Sequence, residues 1–310
     1  MKIVIAAAAA AGVVLAGGTA LAFGTVHGAG QNAEHERITR HALENEFGPR
    51  TLDQLAGARG SFGAVGAPDN PTRGLLFQSS AHCDNGDHLD APAYPRGAAE
   101  ARAMLESCRD WMRRQLDAAV ADAAALLNRG KVSSAAVSMS FGCGFTGGKG
   151  RAKCNVLEDL GLLLHTAQDF YAHTNWADVR DPDEPAGIAN PEGLGNAQPA
   201  PWIALRGDVP FPRGLISGCF AGEPERAFCR GHVRHADLNK DTGTIDPQIG
   251  TGTTPRGAFQ GTFRSAVEAA IADSRDKWAL FKARLVARYG AHDGALMACA
   301  VSHDDPAKDC

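Results

Sequence analysis

The residues best equipped for chemistry lie in one run, His165-Thr-Ala-Gln-Asp169-Phe-Tyr-Ala-His173-Thr-Asn-Trp176. Imidazoles and carboxylates are the ordinary ligands of zinc and related ions. The preceding segment, Asn155 to Leu164, contains no Pro, and apolar residues recur at 157, 160, 164, 167 and 171. That spacing predicts a helix. His165, Asp169 and His173 then stand at i, i+4 and i+8 on one stripe. At about 1.5 Å of rise per residue the two histidines are about 12 Å apart along the axis, and a zinc–nitrogen bond spans only about 2.0–2.1 Å. One ion does not hold both, so the spacing predicts two or more ions sharing or flanking Asp169. The competing reading is a solvated polar face or a hydrogen-bonded core. The apolar neighbours Leu162–Leu164 and Phe170-Tyr171 weigh against it, because converging buried polar groups need a common partner.

Other segments offer the missing ligands. His35 lies in Glu34-His35-Glu36-Arg-Ile-Thr39-Arg-His41, where the second His falls six residues on rather than four. That breaks the H-E-x-x-H pattern of zinc proteases and leaves His35 as a single candidate ligand. The stretch His82-Cys83-Asp84-Asn85-Gly86-Asp87-His88-Leu89-Asp90 offers His82 and His88 as metal ligands, with Asp84 and Asp87 as candidate bases. Its bland reading is a solvated acidic turn about Asn-Gly. In the last cluster, His235 and Asp237 could complete a zinc centre. Alternatively, Asp237, Asn239 and Asp241 match the first three oxygen ligands of an EF-hand-type calcium loop, although Thr242 stands at the sixth position and Gln248 at the twelfth. The run Phe145-Thr-Gly-Gly-Lys149-Gly-Arg lacks P-loop spacing, and no G-x-S-x-G nucleophile is present.

Stepping outward, four helical stretches are expected, at about 33–47, 97–129, 153–176 and 259–289, from apolar spacing such as Leu105, Met112, Leu116 and Val120. Alternating strand patterns are nearly absent. Irregular segments are expected at about 48–95 and 177–258; the second holds ten of the sixteen prolines, which argues against regular elements there. The expected fold is therefore all-α, a disulfide-stapled helical bundle with long irregular loops, forming a single domain over 23–310. Residues 1–22 read as a secretory signal peptide, with Lys2, an apolar core and Ala20-Leu21-Ala22 before the cleavage point. No later segment is apolar enough to cross a membrane. The eight cysteines, even in number, imply disulfides in an oxidising compartment. Their grouping in sequence favours the local pairs Cys83–Cys108, Cys143–Cys154, Cys219–Cys229 and Cys299–Cys310. A net charge of −4 without a basic stripe argues against a stable nucleic-acid complex.

The motif from Leu163 to Trp176 closely resembles the signature of the Het-C-like proteins, and more distantly the zinc-dependent phospholipase C and S1/P1 nuclease superfamily. His35-Glu-Arg-Ile-Thr-Arg-His-Ala-Leu43 is similar to an early helix of those enzymes, and the chain as a whole looks like a secreted bacterial group known as CinY. The resemblance implies an all-α fold with a three-zinc cluster at one end of a bundle. It implies His35, His165, Asp169 and His173 as ligands, Asp169 bridging two ions, His82 or His88 as the loop histidine, and His235 with Asp237 as a last pair. It also implies a phosphodiester substrate, phospholipid before nucleic acid, with Asp84 or Asp87 acting on water. The chain departs from the pattern in two places. Phe23 would follow the cleavage point where those enzymes present a ligating Trp, and the second helical histidine comes two residues early. The alternative expectation is a non-catalytic secreted protein with a structural metal site and a partner-binding role.

Overall fold

The computed structural model describes residues 23–310 except 29, 59, 60, 223 and 247, so the expected signal peptide lies outside the described residues. In chain order the helices are α1 (Glu34–Leu43), α2 (Pro49–Ala56), α3 (Ser79–His82), α4 (Ala98–Asp122), α5 (Ser134–Val137) and α6 (Ala152–His173). They continue as α7 (Glu225–Phe228), α8 (His235–Leu238), α9 (Pro255–Ala258), α10 (Thr262–Tyr289), α11 (Ala291–Ser302) and α12 (Pro306–Asp309). Strand structure among the described residues is confined to two short antiparallel ladders, His27–Gly28 with Gln31–Asn32 and Leu127–Asn128 with Lys131–Val132, and a few isolated bridges. The fold is mostly helical and carries the four expected disulfides, Cys83–Cys108, Cys143–Cys154, Cys219–Cys229 and Cys299–Cys310. No described helix is long and apolar enough to cross a membrane.

Helix α6 is the axis of the molecule. From Leu160 to His173 every residue is buried, as expected of a helix that is apolar on nearly all sides. Helices α4, α10, α3 and α2 pack around it. Fully buried side chains such as Leu157, Leu163 and Phe170 each contribute about 1.5–3 kcal/mol to this core. Gly161 lets α6 lie against the backbone of Ala64, since a Cβ there would stand 2.4 Å from the Ala64 carbonyl carbon. The helix ends where Thr174 turns extended and its hydroxyl donates to the Phe170 carbonyl oxygen at 2.6 Å.

Beyond that end, the Pro-rich segment is irregular yet tied down. Buried Asn175 accepts from the Ile216 N–H and donates to the carbonyl oxygens of Glu192 and Gly214, each at 2.9 Å, so one amide joins three stretches of loop. Asp178 binds both Lys240 Nζ (2.7 Å) and Arg256 Nε (2.8 Å), all three being nearly closed to water. Lys240 also donates to the carbonyl oxygens of Thr174 and Leu238, which satisfies its ammonium group. At the other side Glu34 accepts from the N–H groups of Gly243 and Asn32, clipping the start of α1 to the loop at 243.

Some boundaries differ from expectation. The stretch read as one helix over 33–47 stops at Leu43, and α2 follows within a segment expected to be irregular. The 97–129 stretch ends as a 3-10 turn over Ala123–Leu126, and the 259–289 stretch becomes α-helical only at Thr262. Helix α11, beyond Gly290, was not expected; its small residues, Ala291, Gly294, Ala295, Ala298 and Ala300, give little apolar periodicity to detect.

Candidate metal centre

Helix α6 supplies His165, Asp169 and His173, all with 1% exposure or less. Helix α1 brings His35 against them, with Phe23 edge-on to its ring at 5.8 Å. The 3-10 turn Ala67–Asp69 contributes Asp69, and α3 ends in His82, whose neighbour Cys83 is bonded to Cys108 of α4. Helix α8 opens with His235, and Asp241 lies just past Lys240. His35, His82, His165, Asp169, His173 and His235 are thus brought together, joined by Asp69 and Asp241.

Asp169 is the hinge of the cluster. Its Oδ2 stands 2.9 Å from His165 Nε2 and 3.0 Å from His82 Nδ1; its Oδ1 stands 3.1 Å from His35 Nε2 and 3.9 Å from His173 Nε2. Asp69 Oδ1 lies 3.8 Å from His82 Nδ1 and 3.9 Å from His165 Nε2. On the far side, Asp241 reaches His235 Nε2 at 2.8 Å and His173 Nε2 at 3.3 Å. His165 and His173 fall in separate groups, as their axial spacing requires.

The other nitrogen of every ring is held from outside. His165 Nδ1 faces the Val65 carbonyl oxygen at 2.8 Å, His173 Nδ1 that of His82 at 2.7 Å, and His82 Nε2 that of Leu75 at 3.2 Å. A carbonyl only accepts, so each of these nitrogens carries a proton, and the opposite nitrogen faces inward to the carboxylates, where its lone pair becomes available to an ion once any second proton leaves. His35 Nδ1 meets Gln168 Oε1 at 2.7 Å. The amide orientation is fixed because Gln168 Nε2 donates to Thr39 Oγ1 and to Ser274 Oγ, whose own proton goes to the Ala270 carbonyl oxygen. His235 Nδ1 faces Asp84 Oδ1 at 3.2 Å. Five imidazoles oriented by outer acceptors is the usual setting of metal-ligating histidines.

What lies inside the ring of lone pairs is unsatisfied. His35 Nε2, both oxygens of Asp69, Asp169 Oδ1, His173 Nε2 and Asp241 Oδ1 are buried without a hydrogen-bond partner. No Lys or Arg among the described residues pairs with Asp69, Asp84, Asp169 or Asp241. Burying four carboxylates with no Lys or Arg beside them is costly, and bound divalent ions or protons on the surrounding imidazoles would balance them. The donor set, imidazole and carboxylate alone, fits zinc.

The electrostatics agree. Burial disfavours charge on His35, His82 and His173, but neighbouring carboxylates, chiefly Asp169 and Asp84, outweigh it and raise all three above the ordinary histidine range. For His235, burial is overcome by Asp241 and Asp84 and the ring is pushed up to about 10. At His165 burial prevails and lowers it. Burial alone would raise the carboxyl groups of Asp169 and Asp241; the surrounding imidazoles hold both below the usual range.

Four expected residues sit elsewhere or act differently. Asp84 is 3% exposed and lies 3.2 Å from the Nδ1 atoms of both His173 and His235, a trio close enough to hold an ion, so it belongs with the cluster and does not face solvent as a base. Asp87, also buried, is saturated by the Tyr94 hydroxyl, His232 Nδ1 and Arg96. His88 Nδ1 donates to the Arg96 carbonyl oxygen. Asp237 spends both oxygens on Arg234. The calcium-loop expectation for Asp237, Asn239 and Asp241 is therefore not assembled, because Asp241 turns to the histidines and Asp237 to an arginine. Asp69 carries no signal in sequence: an isolated Asp in Ala-Pro-Asp-Asn-Pro reads as a turn, and only the packing of α6 on the 64–69 backbone brings it to its neighbours.

A cleft of about 820 Å³ opens beside the cluster, lined in part by Asn239, Asp241, Arg226, Arg234 and Arg256. Asp241 is the member of the cluster that lines it. No family model, curated protein or solved structure matches this chain.

Proposed function

We propose that the chain is an exported, zinc-dependent hydrolase of phosphodiesters, with phospholipid favoured over nucleic acid. One observation carries the reading. Unsatisfied buried carboxylate oxygens and the inward nitrogens of fixed imidazoles converge beside a cleft, and no Lys or Arg among the described residues pairs with them. Asp69, His82 and His165 would hold one ion together with Asp169, which reaches a second beside His35. His173 and His235 would hold a third with Asp84, and Asp241 stands beside both rings. Bound zinc supplies Lewis acidity, lowering the pKa of a water towards about 7 and neutralising phosphoryl charge. The chain's own contribution is positional: Val65, Leu75, His82, Gln168 and Asp84 fix the rings, and Asp241 forms the wall along which a substrate approaches. The resemblance of the α6 motif to zinc phospholipases, and the absence of a basic stripe, support lipid before nucleic acid.

The closure of the cluster favours a second reading, since structural zinc sites are filled by protein and catalytic ones keep an open position. A non-catalytic secreted protein with a structural centre would bind zinc and turn nothing over. The deciding experiment measures metal content and hydrolysis of a generic phosphodiester for the wild type and Asp169→Asn. About two to three ions per chain with turnover, both reduced by the substitution, is the expected result. Fewer than about one ion, unchanged by substituting His165 or Asp169, would remove the cluster; zinc without turnover would leave the structural reading.

A further inference from the structure

The cleft that reaches Asp241 is acidic. Five carboxylates and three guanidinium groups line it, a net charge of −2, and Phe259 is the one aromatic residue among the described residues that line it. Two of the three guanidinium groups are already spent, Arg234 on both oxygens of Asp237 and Arg256 on Asp178. Asp181 and Glu184 lie on a rim that is ordered in advance. The Asn190 side chain bonds the Asp181 N–H and the carbonyl oxygens of Asp181 and Glu184, and Arg180 Nη1 donates to the same two oxygens. Nearer the cluster, Asn239 lines the cleft, is 8% exposed, and has its Oδ1 buried without a hydrogen-bond partner. Its backbone is pinned, the N–H donating to the His235 carbonyl oxygen at 2.8 Å and the carbonyl oxygen accepting from Thr254 Oγ1 at 2.7 Å. A buried acceptor so held gains from any ligand that brings a donor. Asn239 is two residues from Asp241, at most about 7 Å of chain, which is the span of a two-carbon amino phosphate.

We infer that the cleft selects phosphodiesters that carry a primary ammonium group close to the phosphate. Asn239 accepts one of its N–H bonds, and the acidic rim of Asp181 and Glu184 draws the cation in. The phosphoryl end then meets the metal centre and the ammonium end the acidic wall, so each charge of the ligand finds its opposite. A quaternary ammonium has no N–H to give, and it is recognised by a cage of aromatic faces, which a single ring does not supply. A polyanion meets carboxylates along its approach and is repelled. The inference rests on the phosphodiester reading for the anionic half of the ligand and names the other half.

Calorimetric titration of the zinc-loaded chain with phosphoethanolamine, phosphocholine and methyl phosphate tests it without turnover. Phosphoethanolamine should bind about ten-fold more tightly than either of the others, the worth of one hydrogen bond from a charged donor. Asn239→Leu should remove that advantage at unchanged zinc content, because Asn239 is not a member of the cluster. Asp181→Asn/Glu184→Gln should weaken phosphoethanolamine about three-fold, more at low salt, and keep the wild-type melting temperature. Equal affinity for phosphoethanolamine and either competitor, an advantage that survives Asn239→Leu, or no binding of any of the three overturns the inference. The expected order of affinities in a protein that hydrolyses no phosphodiester supports the amine site while removing the hydrolase. Hydrolysis of phosphodiesters irrespective of an amine keeps the hydrolase and overturns the inference.

Discussion

Gln168 never reaches the interior of the cluster, yet it decides which nitrogen of His35 points there. Its amide oxygen accepts from Nδ1 while its amide N–H groups are spent on Thr39 and Ser274. Gln168→Leu keeps the volume and removes that acceptor. The expected result is about a 10–100-fold loss of zinc affinity for the ion beside His35, with helicity unchanged, measured by competition with a chelator. A second expectation follows from charge. In the metal-free protein the carboxylates hold His35, His82 and His173 above the ordinary range, so these rings keep their protons to higher pH than a free imidazole and a bound zinc ion would have to displace them. Zinc binding should then release protons, and the calorimetric enthalpy should vary with the buffer's ionisation enthalpy. Acidification should weaken binding, because a raised histidine pKa means protons compete at higher pH. An enthalpy independent of buffer would contradict the assignment. At this scale the sequence displayed the helical ligands plainly, because periodicity alone aligns His165, Asp169 and His173. It hid Asp69 and Gln168, whose roles arise from contacts across more than ninety residues of chain.

The elements explain why a buried carboxylate of the cluster, Asp241, can sit in an irregular loop. Asp241 follows Lys240, and Lys240 is locked by Asp178, Thr174 and Leu238 at the end of α6. The salt bridge acts as a peg through the Pro-rich segment. Replacing Lys240 with Met would leave Asp178 with Arg256 alone and strip donors from two buried carbonyl oxygens. Unfolding free energy should fall by about 3–5 kcal/mol, the usual cost of breaking a buried pair, and zinc content should fall with it. Denaturant melts and metal analysis of the same preparation check both. The apolar stripes of α4, α6 and α10 made three long helices legible within a few residues. The ordering of 177–258 was not legible. It depends on Asn175 and Asp178, single polar side chains whose partners lie up to 78 residues away.

For the whole molecule, an ion held by the cluster would couple metal binding to the fold. The cluster joins α1, α3, α6, α8 and two loops, so zinc bound to the native state alone should stabilise all of them together. At a free zinc concentration of ~100 times Kd the expected gain is ~2.7 kcal/mol, read as a concentration-dependent rise in melting temperature after chelation. Flat melting temperatures would show that zinc does not bind the native state in preference to the unfolded chain. The four disulfides impose a different kind of order. Each cysteine is bonded to the next one in the chain, with separations of 25, 11, 10 and 11 residues. Every bridge can therefore close as soon as its second cysteine emerges during synthesis, with no bystander thiol required to wait. Such a chain needs an oxidant to mature but no reshuffling of mispaired sulfurs.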